Sequence, residues 1–160
     1  MGYMDVEATM RRLHSPADYR DLASNPDTSD AVLRALADCP YSFVWEALAA
    51  NSRTPADVLT RLCTQRSSTW NDNRLLLLVA RHPRADRRAL LEVLGQLKTR
   101  LAASESRPYA AVLALADRVE IDPEEVRVLT LLPGASARMR RGLRRRIAEC
   151  HGIAGQSSMT

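Results

Sequence analysis

The chain has 160 residues, of which 46% are apolar and only 4% aromatic, and a formal net charge of +4, so it is long enough for one domain with its own core. Leu and Ala dominate and Phe occurs once, a balance that favours helices over sheets. No run approaches the roughly 18 uncharged apolar residues of a membrane span, and the opening MGYMDVEATMRRLH carries acids where a secretory leader needs an apolar stretch; the reading is a cytoplasmic chain that does not enter a membrane.

Taken in chain order, the apolar spacing and the breaks predict helices near 4–13, 16–24, 28–38, 42–50, 55–65, 72–81, 86–101, 108–118, 123–132 and 136–150. Three of them open on one signature: Ser15-Pro16-Ala17-Asp18, Thr54-Pro55-Ala56-Asp57 and Asp122-Pro123-Glu124-Glu125. Each offers a capping oxygen, a proline at the first helical position and a carboxylate that can answer free backbone N–H groups. Leu75 to Ala80 is apolar all round, which predicts the most buried helix. Two polar stretches, Thr64 to Asn73 and Lys98 to Arg107, read as loop inserts. Residues 1–150 form the expected single helical-repeat domain, and 151–160 read as a disordered tail.

The segments repeat. Leu22-Ala23-Ser24-Asn25-Pro26-Asp27-Thr28 aligns with Leu48-Ala49-Ala50-Asn51-Ser52-Arg53-Thr54, and Val79-Ala80-Arg81-His82-Pro83-Arg84 is a third copy. A weaker fourth is Leu115-Ala116-Asp117-Arg118, followed by Asp122-Pro123. Proline cannot continue the helix before it and disfavours helical geometry in its predecessor, so these breaks are enforced. Repeated helix starts imply a stack of similar helical hairpins, and such stacks mostly present binding surfaces.

At LASNPDTSDAVLRALA, LAANSRTPADVLTRLC and VARHPRADRRALLEVL the chain resembles the leucine-rich repeat variant family, whose units read roughly V-A-x-N-P-x-T-P-x-x-x-L-x-x-L-A. The resemblance covers about residues 16–97, with an eroded continuation to about 132. It implies an all-α, right-handed α-solenoid related in style to HEAT-like arrays. The founding example of that family holds an iron–sulfur cluster on an N-terminal cysteine cluster. Residues 1–38 here contain no cysteine, so no cofactor is carried over.

Candidate contacts are arginines. The chain has 22 Arg and one Lys, and residues 137–150 hold six Arg against Glu149, a local charge of +5. On that last helix Met139, Leu143, Ile147 and Cys150 share one face, and Arg138, Arg140, Arg141, Arg144 and Arg145 cover the other. The helix either caps the stack or also binds phosphates or an acidic partner. Arg81, Arg84, Arg87 and Arg88 form a second cluster around a turn and a helix start, where cations oppose the helix dipole and call for a compensating anion. Trp70, in the first polar insert, is a candidate partner anchor, and Trp45 reads as core.

Nothing in the sequence points to an enzyme. His14, His82 and His151 are scattered, and Cys39, Cys63 and Cys150 are odd in number and fit reduced thiols. The expectation is therefore a non-catalytic helical-repeat interaction module or scaffold docking another protein, with no metal. The alternative is a nucleic-acid-binding protein that uses the 138–146 helix and the Arg81–Arg88 cluster.

Overall fold

A computed structural model describes residues 3–156, with side-chain surroundings from Val6 to Cys150. Among the described residues the chain is all-α. Its helices are α1 (Tyr3–Arg11), α2 (Pro16–Ser24), α3 (Asp30–Leu36), α4 (Ser42–Ala50), α5 (Ala56–Leu62), α6 (Thr69–Arg81), α7 (Arg87–Ala103), α8 (Tyr109–Ala116), α9 (Pro123–Arg127) and α10 (Ala137–Gln156), with a 3-10 turn at Val128–Leu131. None of them is long and apolar enough to cross a membrane.

The even-numbered helices pack each on the next: α2 on α4, α4 on α6, α6 on α8 and α8 on α10. On the other side α1 packs on α3, α5 on α7, and α7 on the 3-10 turn. One seam of leucine, valine and alanine runs through both sides, from Ala23, Leu33 and Leu36 through Leu59, Leu76 and Leu97 to Leu129, Leu143 and Ile147. Burial of these side chains supplies the main driving force, at roughly 1.5–3 kcal/mol for each fully buried Leu. Trp45 belongs to the core, and its Nε1–H donates to the Cys39 carbonyl at 2.8 Å. The Leu75–Ala80 run is buried at Leu75, Leu76, Val79 and Ala80, whereas Leu77 and Leu78 are only half-buried.

Turns at the C-terminal ends of the even helices are bound together by side chains at one repeated position. Asn25 and Asn51 each accept the N–H two residues on, from Asp27 at 2.9 Å and Arg53 at 3.0 Å. His82 takes the same role with Nδ1, accepting the Arg84 N–H at 3.0 Å. Each of these turns is also tied to the one before. Asn51 Nδ2 donates to the Asn25 carbonyl at 3.1 Å, His82 Nε2 to the Asn51 carbonyl at 2.8 Å, and Arg118 Nη1 to the His82 carbonyl at 2.9 Å. These pairs lie 26, 31 and 36 residues apart. Bonding C-terminus to C-terminus in this way sets the even helices parallel.

Two of the three expected caps are present: Ser15 with Asp18 and Asp122 with Glu125 form reciprocal capping boxes. Thr54 does not cap α5. Its buried hydroxyl donates to the Leu48 carbonyl at 2.6 Å, as Thr28 does to the Leu22 carbonyl at 2.7 Å. A threonine hydroxyl has a choice of nearby backbone acceptors, and here closing the preceding turn wins.

The polar inserts are shorter than expected. Ser68 caps α6 by accepting the Asn71 N–H at 3.2 Å, and Asp72 is held by the Ser67 N–H at 2.8 Å and by Arg100 at 3.3 Å, so Thr69 to Asn73 are helical. Helix α7 continues through Lys98 to Ala103 and stops at Ser104, which is left-handed at φ 55°. At the far end α10 runs on to Gln156, into the stretch read as a tail, and 157–160 lie outside the described residues.

Candidate functional site: an aromatic and arginine groove

Parallel even helices bring their N-terminal ends to one side of the molecule. Trp70 lies there, in the first turn of α6, as an exposed side chain and not in a loop. It is 68% exposed. Arg74, one turn on, lies over its ring at 5.7 Å while its Nε donates to Glu46 of α4 at 3.0 Å. Trp70, Asn73, Arg74 and Leu77 of α6 face Arg107, Pro108, Tyr109, Ala110 and Ala111 at the start of α8 across a groove of about 300 Å³. Arg138 of α10 lies against Tyr109, its guanidinium 5.9 Å from the ring centre.

An aromatic band continues from this groove toward the start of the chain. Phe43, 40% exposed on α4, stacks on Tyr41 at 5.3 Å, and Tyr41 meets Tyr19 of α2 edge-on at 6.0 Å. Arg107 and Tyr109 escape a reading of the sequence because they come from a segment distant from Trp70, Asn73 and Arg74. One signal was available: every aromatic after Tyr3 lies on or next to an even-numbered helix.

The Arg81–Arg88 cluster stands away from the groove, at the opposite ends of the even helices. Arg81 ends α6 and Arg84 follows in the turn, where carbonyls point outward and a cation is favoured. Arg84 donates to the Arg53 carbonyl and lies 3.9 Å from Asp30. Arg87 opens α7, and its compensating anion is Glu125, at 3.0 and 3.2 Å, with the Glu120 carbonyl at 2.8 Å. Glu125 is held below the usual carboxylate range by Arg87 first and by the Asp122 N–H second. Arg88 and Arg81 are exposed and make no ion pair with a described residue.

On α10 the arginines divide among different surroundings. Met139, Leu143 and Ile147 are buried as expected, but Cys150 is exposed. Arg138 turns to Tyr109, while Arg140 is half-buried with its Nε shielded and without an acceptor. Arg144 lines a separate hollow with Arg127 and Ile147 on the α9 side, and Arg145 lies 3.9 Å from Glu149. Arg141 is exposed without an ion pair among the described residues, and Arg146 binds Asp117 at 2.6 Å. Of the ten expected contacts Trp70 lines the groove, and Arg138 reaches its wall through Tyr109.

The titratable groups have structural surroundings. Burial pushes His82 below its ordinary value, against its bond to the Asn51 carbonyl and together with the nearby charges of Arg84 and Arg118. Burial pushes the Cys63 thiol up to about 12, and Cys39 is raised by the same cause. Among the described residues no three His, Cys, Asp or Glu side chains stand close enough to hold a metal ion. No protein-family model matches this chain, and neither a curated protein nor a solved structure matches it.

Proposed function

We propose that this protein is a non-catalytic helical-repeat module, a short right-handed α-solenoid of the leucine-rich repeat variant type, that docks a protein partner in the groove between α6 and α8. The observation that carries this reading is Trp70, two-thirds exposed at the groove and flanked by Arg74, Arg107 and Tyr109. Trp, Tyr and Arg are the residue types that dominate binding energy at protein interfaces, because each combines a large apolar area with a directed polar group. The solenoid reading is supported by the repeated turn position at Asn25, Asn51, His82 and Arg118, each in the same relation to its neighbour.

Nucleic-acid binding draws support from Arg81, Arg88, Arg138, Arg140, Arg141 and Arg144, which have no carboxylate partner among the described residues. The two readings separate in one experiment. Peptides selected for binding to the protein should lose about tenfold or more in affinity on Trp70→Ala and keep it on the double change Arg81→Glu, Arg88→Glu. Retardation of DNA or RNA at 50 mM salt, abolished by Arg141→Glu and Arg144→Glu but not by Trp70→Ala, would replace the first reading with the second.

A further inference from the structure

Several groups with unmet hydrogen-bonding capacity converge on the α6–α8 groove. The Arg107 guanidinium lines it and has no acceptor among the described residues. Arg74 uses Nε on Glu46, which leaves its terminal N–H groups free to turn into the groove. Helix α8 starts at Pro108, which supplies no side-chain cap, and the N–H groups of Ala110 and Ala111 find no acceptor. All of these are donors that suit an anion, with the positive end of the α8 dipole behind them. The walls between are apolar, formed by Trp70, Leu77 and Tyr109.

We infer that the groove takes the C-terminal end of a partner polypeptide, reading its free carboxylate and its last side chain. This rests on the docking function proposed above and specifies its ligand. A chain terminus carries a carboxylate and a side chain on a single Cα, which matches donors set beside an apolar wall. The carboxylate faces Arg107, Arg74 and the open α8 amides, and the side chain lies against Trp70 and Leu77. An internal Asp or Glu fits less well, since its carboxylate is the side chain and leaves the apolar wall uncovered. A carboxylate bound by guanidinium and backbone N–H is a strong, directional contact.

The test uses heptapeptides of random sequence presented with free C-termini, the best binders being resynthesised as acid and as carboxamide and measured by fluorescence anisotropy against the full chain. The expected selection is for apolar or aromatic final residues, with amidation weakening binding about tenfold or more. Arg107→Gln, an exposed change that should leave the circular dichroism unaltered, should weaken the acid form to the level of the carboxamide and leave the carboxamide unchanged. Equal binding of acid and carboxamide by peptides that still require Trp70 overturns the terminus inference and leaves the docking reading in place. If no selected peptide depends on Trp70, both are overturned.

Discussion

His82 accepts the Arg84 N–H on Nδ1 at 3.0 Å and offers Nε2 to the Asn51 carbonyl at 2.8 Å, which places its single proton on Nε2 and keeps the ring neutral. A second proton has no position to occupy without breaking the Arg84 bond, and the Arg84 and Arg118 guanidinium groups oppose it further. The unfolded chain binds that proton at about pH 6.5, so the contribution of His82 to stability is complete above that pH. It is lost progressively as pH falls from 6.5 toward the lowered native value. Urea midpoints measured between pH 7.5 and 5 should decline, and the decline should flatten in His82→Asn. The asparagine should keep both bonds, as Asn51 does, and cost no more than about 1 kcal/mol, whereas His82→Leu leaves the Arg84 N–H unpaired and the Asn51 carbonyl with the Thr54 N–H alone, and should cost about 1–3 kcal/mol.

Arg118 holds three carbonyls of the preceding turn: Ala80 at 3.3 Å, His82 at 2.9 Å and Ala85 at 3.0 Å. A lysine retains the charge but not the planar fork that spans them. Arg118→Lys should therefore destabilise by about 1–3 kcal/mol, read as a lower urea midpoint with an unchanged slope. A loss as small as that of a surface Arg→Lys change would show that the three bonds contribute nothing.

Gly142 lies under Tyr109, and a Cβ there would overlap the Tyr109 hydroxyl. Gly142→Ala gains about 1 kcal/mol of helix propensity but should lose about 1–3 kcal/mol to overpacking, and it should push Tyr109 into the groove. Removing the hydroxyl with Tyr109→Phe in the same chain should restore the midpoint. Thermal melts of the two single variants and the double variant form the cycle that checks this.

Ser104 ends α7 in the left-handed region at φ 55° without the freedom of a glycine. Ser104→Gly should relieve that conformation and raise stability by up to about 1 kcal/mol. Ser104→Val should lower it by about 1 kcal/mol or more, since a β-branched side chain tolerates this region least.

The helices were legible because their signals are local. Proline breaks, caps such as Ser15 and Asp122, and leucines one turn apart each act within a few residues. Where two local partners compete, the sequence is ambiguous, as at Thr54, whose hydroxyl closes a turn instead of opening a helix. Trp70 stood out as an anchor, although its helical surroundings rest on the local Ser68 cap and on an Asp72–Arg100 pair that draws on α7. The groove itself was not legible. Arg74, Arg107, Tyr109 and Arg138 come together only through the parallel setting of α6, α8 and α10, and no spacing along the chain encodes that register. The arginine clusters show the converse: Arg84 and Arg87 look free in sequence and are engaged by groups 31 to 38 residues away.

The bonds linking Asn51 to Asn25, His82 to Asn51 and Arg118 to His82 keep nearly constant length while the intervening chain grows from 26 to 31 to 36 residues. Added length is absorbed on the distant side, in longer helices such as α7, and the stitched edge keeps its spacing. The architecture thus separates an edge of fixed pitch from a margin free to lengthen: five or ten further residues between neighbouring turns fit there with the register undisturbed.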